Sequence, residues 1–231
     1  GFAEIGAYEA TVLSTGTWFI GMRTPAVPFD MAALPEARDC LVNVDVHSRP
    51  VPSARFMGGR EIETLIELDT RRVDIKPDQP ALLAAVPRVL EADAMILPTL
   101  APGCGPYPAS RFAFRNRPED WMERRAAACL YAALMTDVML DLIGSRERVL
   151  VEGRFAEAEV FVRALAALRP DCAIYTANAH NDVSFGALRL TDPSLTPAGE
   201  LVQVRPLEPD LTPYRTRWLA HVAAGGEETR A

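Results

Sequence analysis

Between Ala10 and Met57 apolar residues tend to recur at every second position, while beyond Arg148 short apolar runs alternate with helical stripes. This change of period constrains the fold more than any other feature. An antiparallel meander that feeds a strand–helix–strand–helix segment has to build one mixed sheet, because its later strands run parallel and need right-handed crossovers. The meander opens with Ala10–Leu13 and Trp18–Met22, both rich in β-branched or aromatic residues, which predict strands over 10–14 and 18–23. Leu41–His47 alternates strictly, with Val42, Val44 and Val46 on one face and Asn43, Asp45 and His47 on the other, which predicts a half-solvated strand over 41–47. Pro50 and Pro52 break it, and Ala54–Met57 resumes extended structure before Gly58-Gly59 turns the chain into a helix near Arg60–Leu68.

Residues 70–118 are less regular. A short helix over Pro80–Leu90 and a strand over Ala94–Leu100 are expected, whereas three prolines and two glycines make Ala101–Pro108 a loop. A long helix starts near Pro118, with Glu119 and Asp120 suited to its positive end. Ala127, Tyr131, Leu134, Val138 and Leu142 mark its apolar stripe, and Gly144 its C-cap. Strands over 148–152 and 172–176 alternate with helices over 156–168 and 183–190. The whole of 1–231 then reads as one α/β domain, in which 193–231 is an extended, proline-rich segment plus a terminal helix near Tyr214–Val222 and a frayed tail from Gly225.

Composition narrows the partners. The balance of 24 basic against 31 acidic residues gives a net charge of −7, with no Lys/Arg block, which argues against nucleic acid and anionic membrane. Apolar runs such as Ala94–Leu97 and Val149–Val151 are too short to span a bilayer, and the residues ahead of the first strand do not read as a signal peptide. Cys40, Cys104, Cys129 and Cys172 are scattered and read as free thiols of a cytoplasmic protein, neither a disulfide frame nor a zinc site. The start at Gly1, without an initiator Met, reads as a piece of something longer.

Ser14-Thr15-Gly16-Thr17 sits between the first two strands. A tight turn of hydroxyl residues around glycine can aim backbone N–H groups at an anion, and the hydroxyls add donors; the same composition also suits a plain hairpin. His47 reads as a surface residue, and no Ser-His-Asp order, HExxH or GxGxxG is present.

The order of elements resembles the ribonuclease H-like core of actin and sugar kinases, and the glycine elements resemble the C-terminal domain of FGGY carbohydrate kinases such as L-fuculose, L-rhamnulose and D-xylulose kinases. Ser14-Thr15-Gly16-Thr17-Trp18 is similar to the hairpin that cups the terminal phosphates of ATP in that family. Met57-Gly58-Gly59-Arg60-Glu61 is similar to its second glycine element near the nucleotide, and Asn181–Leu188 to its closing helix. Glu152-Gly153-Arg154 stands in the place of its triple-glycine turn, which holds adenosine, and the polar residue expected a few positions on falls among Ala156, Glu157 and Ala158, with Glu157 the candidate. Arg154, in place of the third glycine, can stack on adenine, reach a phosphate or block the groove. The resemblance implies ATP with Mg²⁺ as nucleotide, a ketose or polyol as the small-molecule sugar substrate, and an α/β ribonuclease H-like fold with helices on both faces of a mixed sheet. It also implies that the catalytic base, the sugar pocket and the metal-binding acids lie on an N-terminal domain of the same parent protein, upstream of Gly1. Asp45, Asp120 and Asp182 are the fallback candidates for the base. A homodimer is compatible with this reading. So is a non-catalytic nucleotide-binding module of the same fold, or an actin-like assembly protein.

Overall fold

The structure is a computed structural model that describes residues 8–177, 183–196 and 199–227. Its elements run β1 (Ala10–Thr15), β2 (Phe19–Thr24), β3 (Cys40–Val44), β4 (Pro50–Phe56), α1 (Gly58–Ile66), α2 (Gln79–Glu91), β5 (Met95–Leu97), β6 (Ala113–Arg115) and α3 (Trp121–Leu142). They continue with β7 (Arg148–Gly153), α4 (Glu159–Leu168), β8 (Ala173–Ala177), α5 (Val183–Thr191), β9 (Leu201–Gln203) and α6 (Thr212–Glu227). Seven strands form one mixed sheet in the order β3-β4-β2-β1-β7-β8-β9, and β5 pairs with β6 in a small second sheet. β1 is antiparallel to β2 but parallel to β7, which is parallel to β8. The change of direction therefore falls at the central strand. Leu13, Phe19, Val149, Val151 and Ile174 face the main core with α1 to α4, while Ala10 and Leu150 form a small cluster on the opposite face with Tyr175 and Leu201.

The meander differs from expectation at its edge. β3 ends at Val44, and Pro50 and Pro52 lie inside β4 instead of breaking a strand. The Arg55 N–H donates to Asp39 O on the β3 side, so by alternation the nitrogens of Pro50 and Pro52 face the β2 side. Pairing with β2 stops at Ser53, opposite Met22, so neither proline removes a ladder bond. Nor does the alternation of β3 mark a buried face. Val42 is 43% exposed and Val44 71%, because this edge strand extends past the helix layer.

Helix α3 is the axis of the core. Asp120 caps it by accepting the Glu123 N–H at 3.0 Å, and every residue from Arg125 to Leu140 is buried. The stripe read from the sequence becomes a helix covered on all sides, because α1, α2 and α4 pack around it. Asp137 on this helix is buried and bonds Arg169 at 2.7 Å and Arg215 at 2.6 Å, which ties α6 to the core. The Trp218 Nε1–H donates to Ile96 O at 2.7 Å and the Tyr214 hydroxyl to Ala94 O at 2.6 Å, anchoring the same helix on β5.

Glu61 in the first turn of α1 is also buried. It accepts the Tyr131 hydroxyl at 2.7 Å and the Ala101 N–H at 3.1 Å. Burial pushes its carboxyl above the ordinary 4.5, against the pull of these bonds. The folded state then holds this proton more tightly than the unfolded one, so stability falls as pH rises through the interval between the two pKa values. Glu61→Gln has no such titration. Denaturant midpoints measured against pH are expected to show the variant gaining on the wild type as pH rises past that interval, and parallel profiles would contradict the assignment.

Candidate nucleotide site

The glycine elements meet at the carboxyl ends of β1 and β7, where these neighbouring strands pair in register with Thr15 beside Gly153. A Cβ at Gly153 would collide with the Thr15 carbonyl oxygen and come within 3.1 Å of its Oγ1, and the residue holds φ at +89°. A Cβ at Gly59 would collide with the Gly16 carbonyl oxygen, and one at Gly58 would stand 2.6 Å from the Phe19 ring. These glycines let helix α1 and the β7 turn press directly on the β1–β2 hairpin. Beneath them Phe19 packs against Phe56, Phe155 and Phe161 with ring centroids 5.2, 5.2 and 5.3 Å apart, a rigid floor for the turn.

The predicted site residues fall into three groups by exposure. Gly16, Thr17 and Gly153 are exposed at the rim; Ser14, Arg154 and Glu157 are half-buried; Thr15, Gly58 and Gly59 are buried. The Thr15 hydroxyl donates to Glu152 O at 2.5 Å and accepts the Phe155 N–H at 3.2 Å, so it stitches β1 to the turn after β7. In the hairpin the Gly16 N–H bonds Trp18 O at 3.0 Å, and Thr17 O accepts the Arg60 N–H at 3.3 Å. The Thr17 N–H and hydroxyl remain at the exposed tip with no hydrogen-bond partner among the described residues. They are the donors best placed to meet an anion.

Beyond Gly153 a short 3₁₀ turn, Arg154–Glu157, leads to a groove of about 640 Å³. Ala156, Val162, Val202 and Val204 supply its apolar lining, with Glu157 and Lys76 among its polar residues. Lys76 Nζ stands 2.9 Å from Glu157 Oε1 and its pKa is raised by that carboxylate. Lys76 lies in the irregular stretch that sequence reasoning left unassigned, and no motif marks it. Among the fallback bases, Asp45 accepts the N–H groups of His47 and Arg49, and Asp120 caps α3. Asp182, like Asn181 of the closing motif, lies outside the described residues.

A mixed sheet with this order, with glycine turns at the ends of its adjoining parallel strands, has the ribonuclease H-like fold of the actin-like ATPases. Residues 7–198 match the family profile described as carbohydrate kinase FGGY, C-terminal domain, and the chain belongs to that family. A solved carbohydrate kinase from Novosphingobium aromaticivorans is 78% identical with a TM-score of 0.91, over 96% of this chain and 48% of that one. Xylulose kinase from Rhodospirillum rubrum shares the fold at 14% identity and a TM-score of 0.66, over 99% of this chain and 50% of that one. Glycerol kinase from Plasmodium falciparum, solved with ADP, shares it at 10% and 0.62, over 95% and 47%. The chain thus spans about half the length of the solved structures it matches. The comparison with curated proteins gives no match. Among the described residues no helix is long and apolar enough to cross a membrane.

Proposed function

We propose that the parent protein transfers the γ-phosphoryl group of ATP to a hydroxyl of a ketose or polyol, and that this chain supplies the nucleotide half of the site. The observation that carries this reading is the packing of Gly16 on Gly59 and of Thr15 on Gly153. It gathers the glycine elements into one cradle below the exposed Thr17 tip. Phosphoryl transfer asks mainly that the phosphates be held in line with the acceptor while developing charge is met by N–H donors and a metal ion. In this reading Thr17 contributes donors to the terminal phosphates, and a Mg²⁺ ion would supply the counter-charge that the N–H groups do not. Gly153, Arg154 and Glu157 follow the nucleotide towards the groove. The base, the sugar pocket and the acids that complete the metal shell belong to the half of the parent protein beyond this chain, whose closure on the sugar excludes water as a competing acceptor.

A coupled ADP-release screen of the full-length protein against pentuloses, hexuloses and polyols tests the reaction, and silence across all of them with folded protein would overturn it. This chain alone is expected to bind ATP weakly and to phosphorylate nothing, since a one-sided cleft leaves the phosphates hydrated. Thr17→Trp is expected to abolish the remaining binding in a calorimetric titration, while His47→Ala, on the distant edge of the sheet, leaves it unchanged.

A further inference from the structure

We infer that Glu157 makes the domain selective for ribonucleotides by accepting hydrogen bonds from the ribose hydroxyls; the inference rests on the nucleotide reading above. Three observations carry it. The first is order. Gly153 stands in the glycine cluster, Glu157 lies four positions further along the 3₁₀ turn that leaves it, and Val162, Thr176 and Val202 line the groove beside it. A nucleotide whose phosphates lie on the hairpin and whose base enters this groove, against Val162, Val202 and Val204, passes Glu157 with the unit that joins them, the ribose.

The second is chemistry. A carboxylate is an acceptor with no donor of its own, so it rewards a ligand that brings O–H groups, and its two oxygens match a vicinal diol. The third is support. Lys76, which lines the same groove, holds one carboxylate oxygen at 2.9 Å and orients the group. With its side chain 29% exposed, Glu157 remains within reach of a ligand. The groove volume, about 640 Å³, falls in the range that accepts a nucleoside-sized ligand. A carboxylate could also take the exocyclic amine of adenine, a second source of N–H donors that the test separates.

The test is calorimetric titration of the full-length protein with the magnesium salts of ATP, 2′-deoxy-ATP and inosine triphosphate, on wild type, Glu157→Ala and Glu157→Gln. Wild type is expected to bind ATP about tenfold or more tighter than 2′-deoxy-ATP, the size of one charge-assisted hydrogen bond. Glu157→Ala should bring ATP and 2′-deoxy-ATP to the same level, ATP losing about tenfold or more beyond the smaller loss of 2′-deoxy-ATP, which gives up only its 3′-hydroxyl bond, and Glu157→Gln, which keeps one acceptor, should fall between. Equal binding of ATP and 2′-deoxy-ATP by wild type would overturn the proposal and leave the nucleotide reading standing. So would an equal loss of both in Glu157→Ala, or a Glu157-dependent preference that follows inosine triphosphate instead. Folded protein that binds none of the three would overturn both.

Discussion

Alanine at Gly59 is expected to destabilise the protein by about 3 kcal/mol and to abolish nucleotide binding in the same variant. The added Cβ would run into the carbonyl oxygen of Gly16, with the Phe155 ring 3.1 Å away on another side. Backbone cannot rotate aside as a flexible side chain would, so either α1 lifts from the hairpin or the hairpin moves. Each outcome separates the second glycine element from the Thr17 tip. Urea denaturation gives the stability loss, and ATP titration at low denaturant gives the binding loss. Gly186→Ala is the matched control. Gly186 lies within α5 with nothing within 4 Å of its would-be Cβ, so alanine there is expected to be neutral or to stabilise by about 0.5 kcal/mol. A Gly59→Ala protein as stable as wild type would mean that the hairpin and α1 are not held in this contact.

Loss of Asp137 should be of similar size and is expected to act through the C-terminal helix. Asp137 is buried, and its two oxygens hold Arg169 at 2.7 Å and Arg215 at 2.6 Å. Asp137→Ala leaves the buried Arg169 guanidinium short of its main partner, and Asp141, at 3.0 Å from Arg169 and 3.3 Å from Arg215, compensates only in part. Breaking a buried pair from one side costs about 3 kcal/mol or more, because the remaining charge stays desolvated. The variant should therefore unfold at distinctly lower denaturant, and hydrogen exchange should rise first across Thr212–Glu227. A shift under about 1 kcal/mol, in the range of exposed pairs, would show that the cluster is solvated.

The parts of the fold that depend on local pattern could be read from the chain, and the parts that depend on what lies beside a segment could not. β1, β2, β7, β8 and the long α3 follow from β-branched runs, glycine turns and a capped apolar helix, all local signals. The course of β4 does not, because a proline is tolerated or excluded according to which neighbour its nitrogen faces, and that is set by where β2 stops pairing. The exposure of Val42 and Val44 depends likewise on how far the helix layer reaches. At the site, the convergence of Gly16, Gly59 and Gly153 was anticipated through the order of the family's motifs. The part played by each residue needed coordinates. The buried hydroxyl of Thr15 joins two strands, and the contact of Lys76 with Glu157 links residues 81 positions apart. Asp137 and Arg215 meet across a sequence separation of 78, beyond any local motif.

The central claim is that the exposed Thr17 tip, backed by the glycine cluster, holds the phosphates of a nucleotide. A crystal structure of the full-length protein with Mg²⁺ and a non-hydrolysable ATP analogue tests it directly. The terminal phosphates are expected within hydrogen-bond distance of the Thr17 N–H and hydroxyl, with Gly153 beside the chain of phosphates and the ribose at Glu157. A nucleotide bound with its phosphates away from Thr17 and Gly153 would contradict the claim.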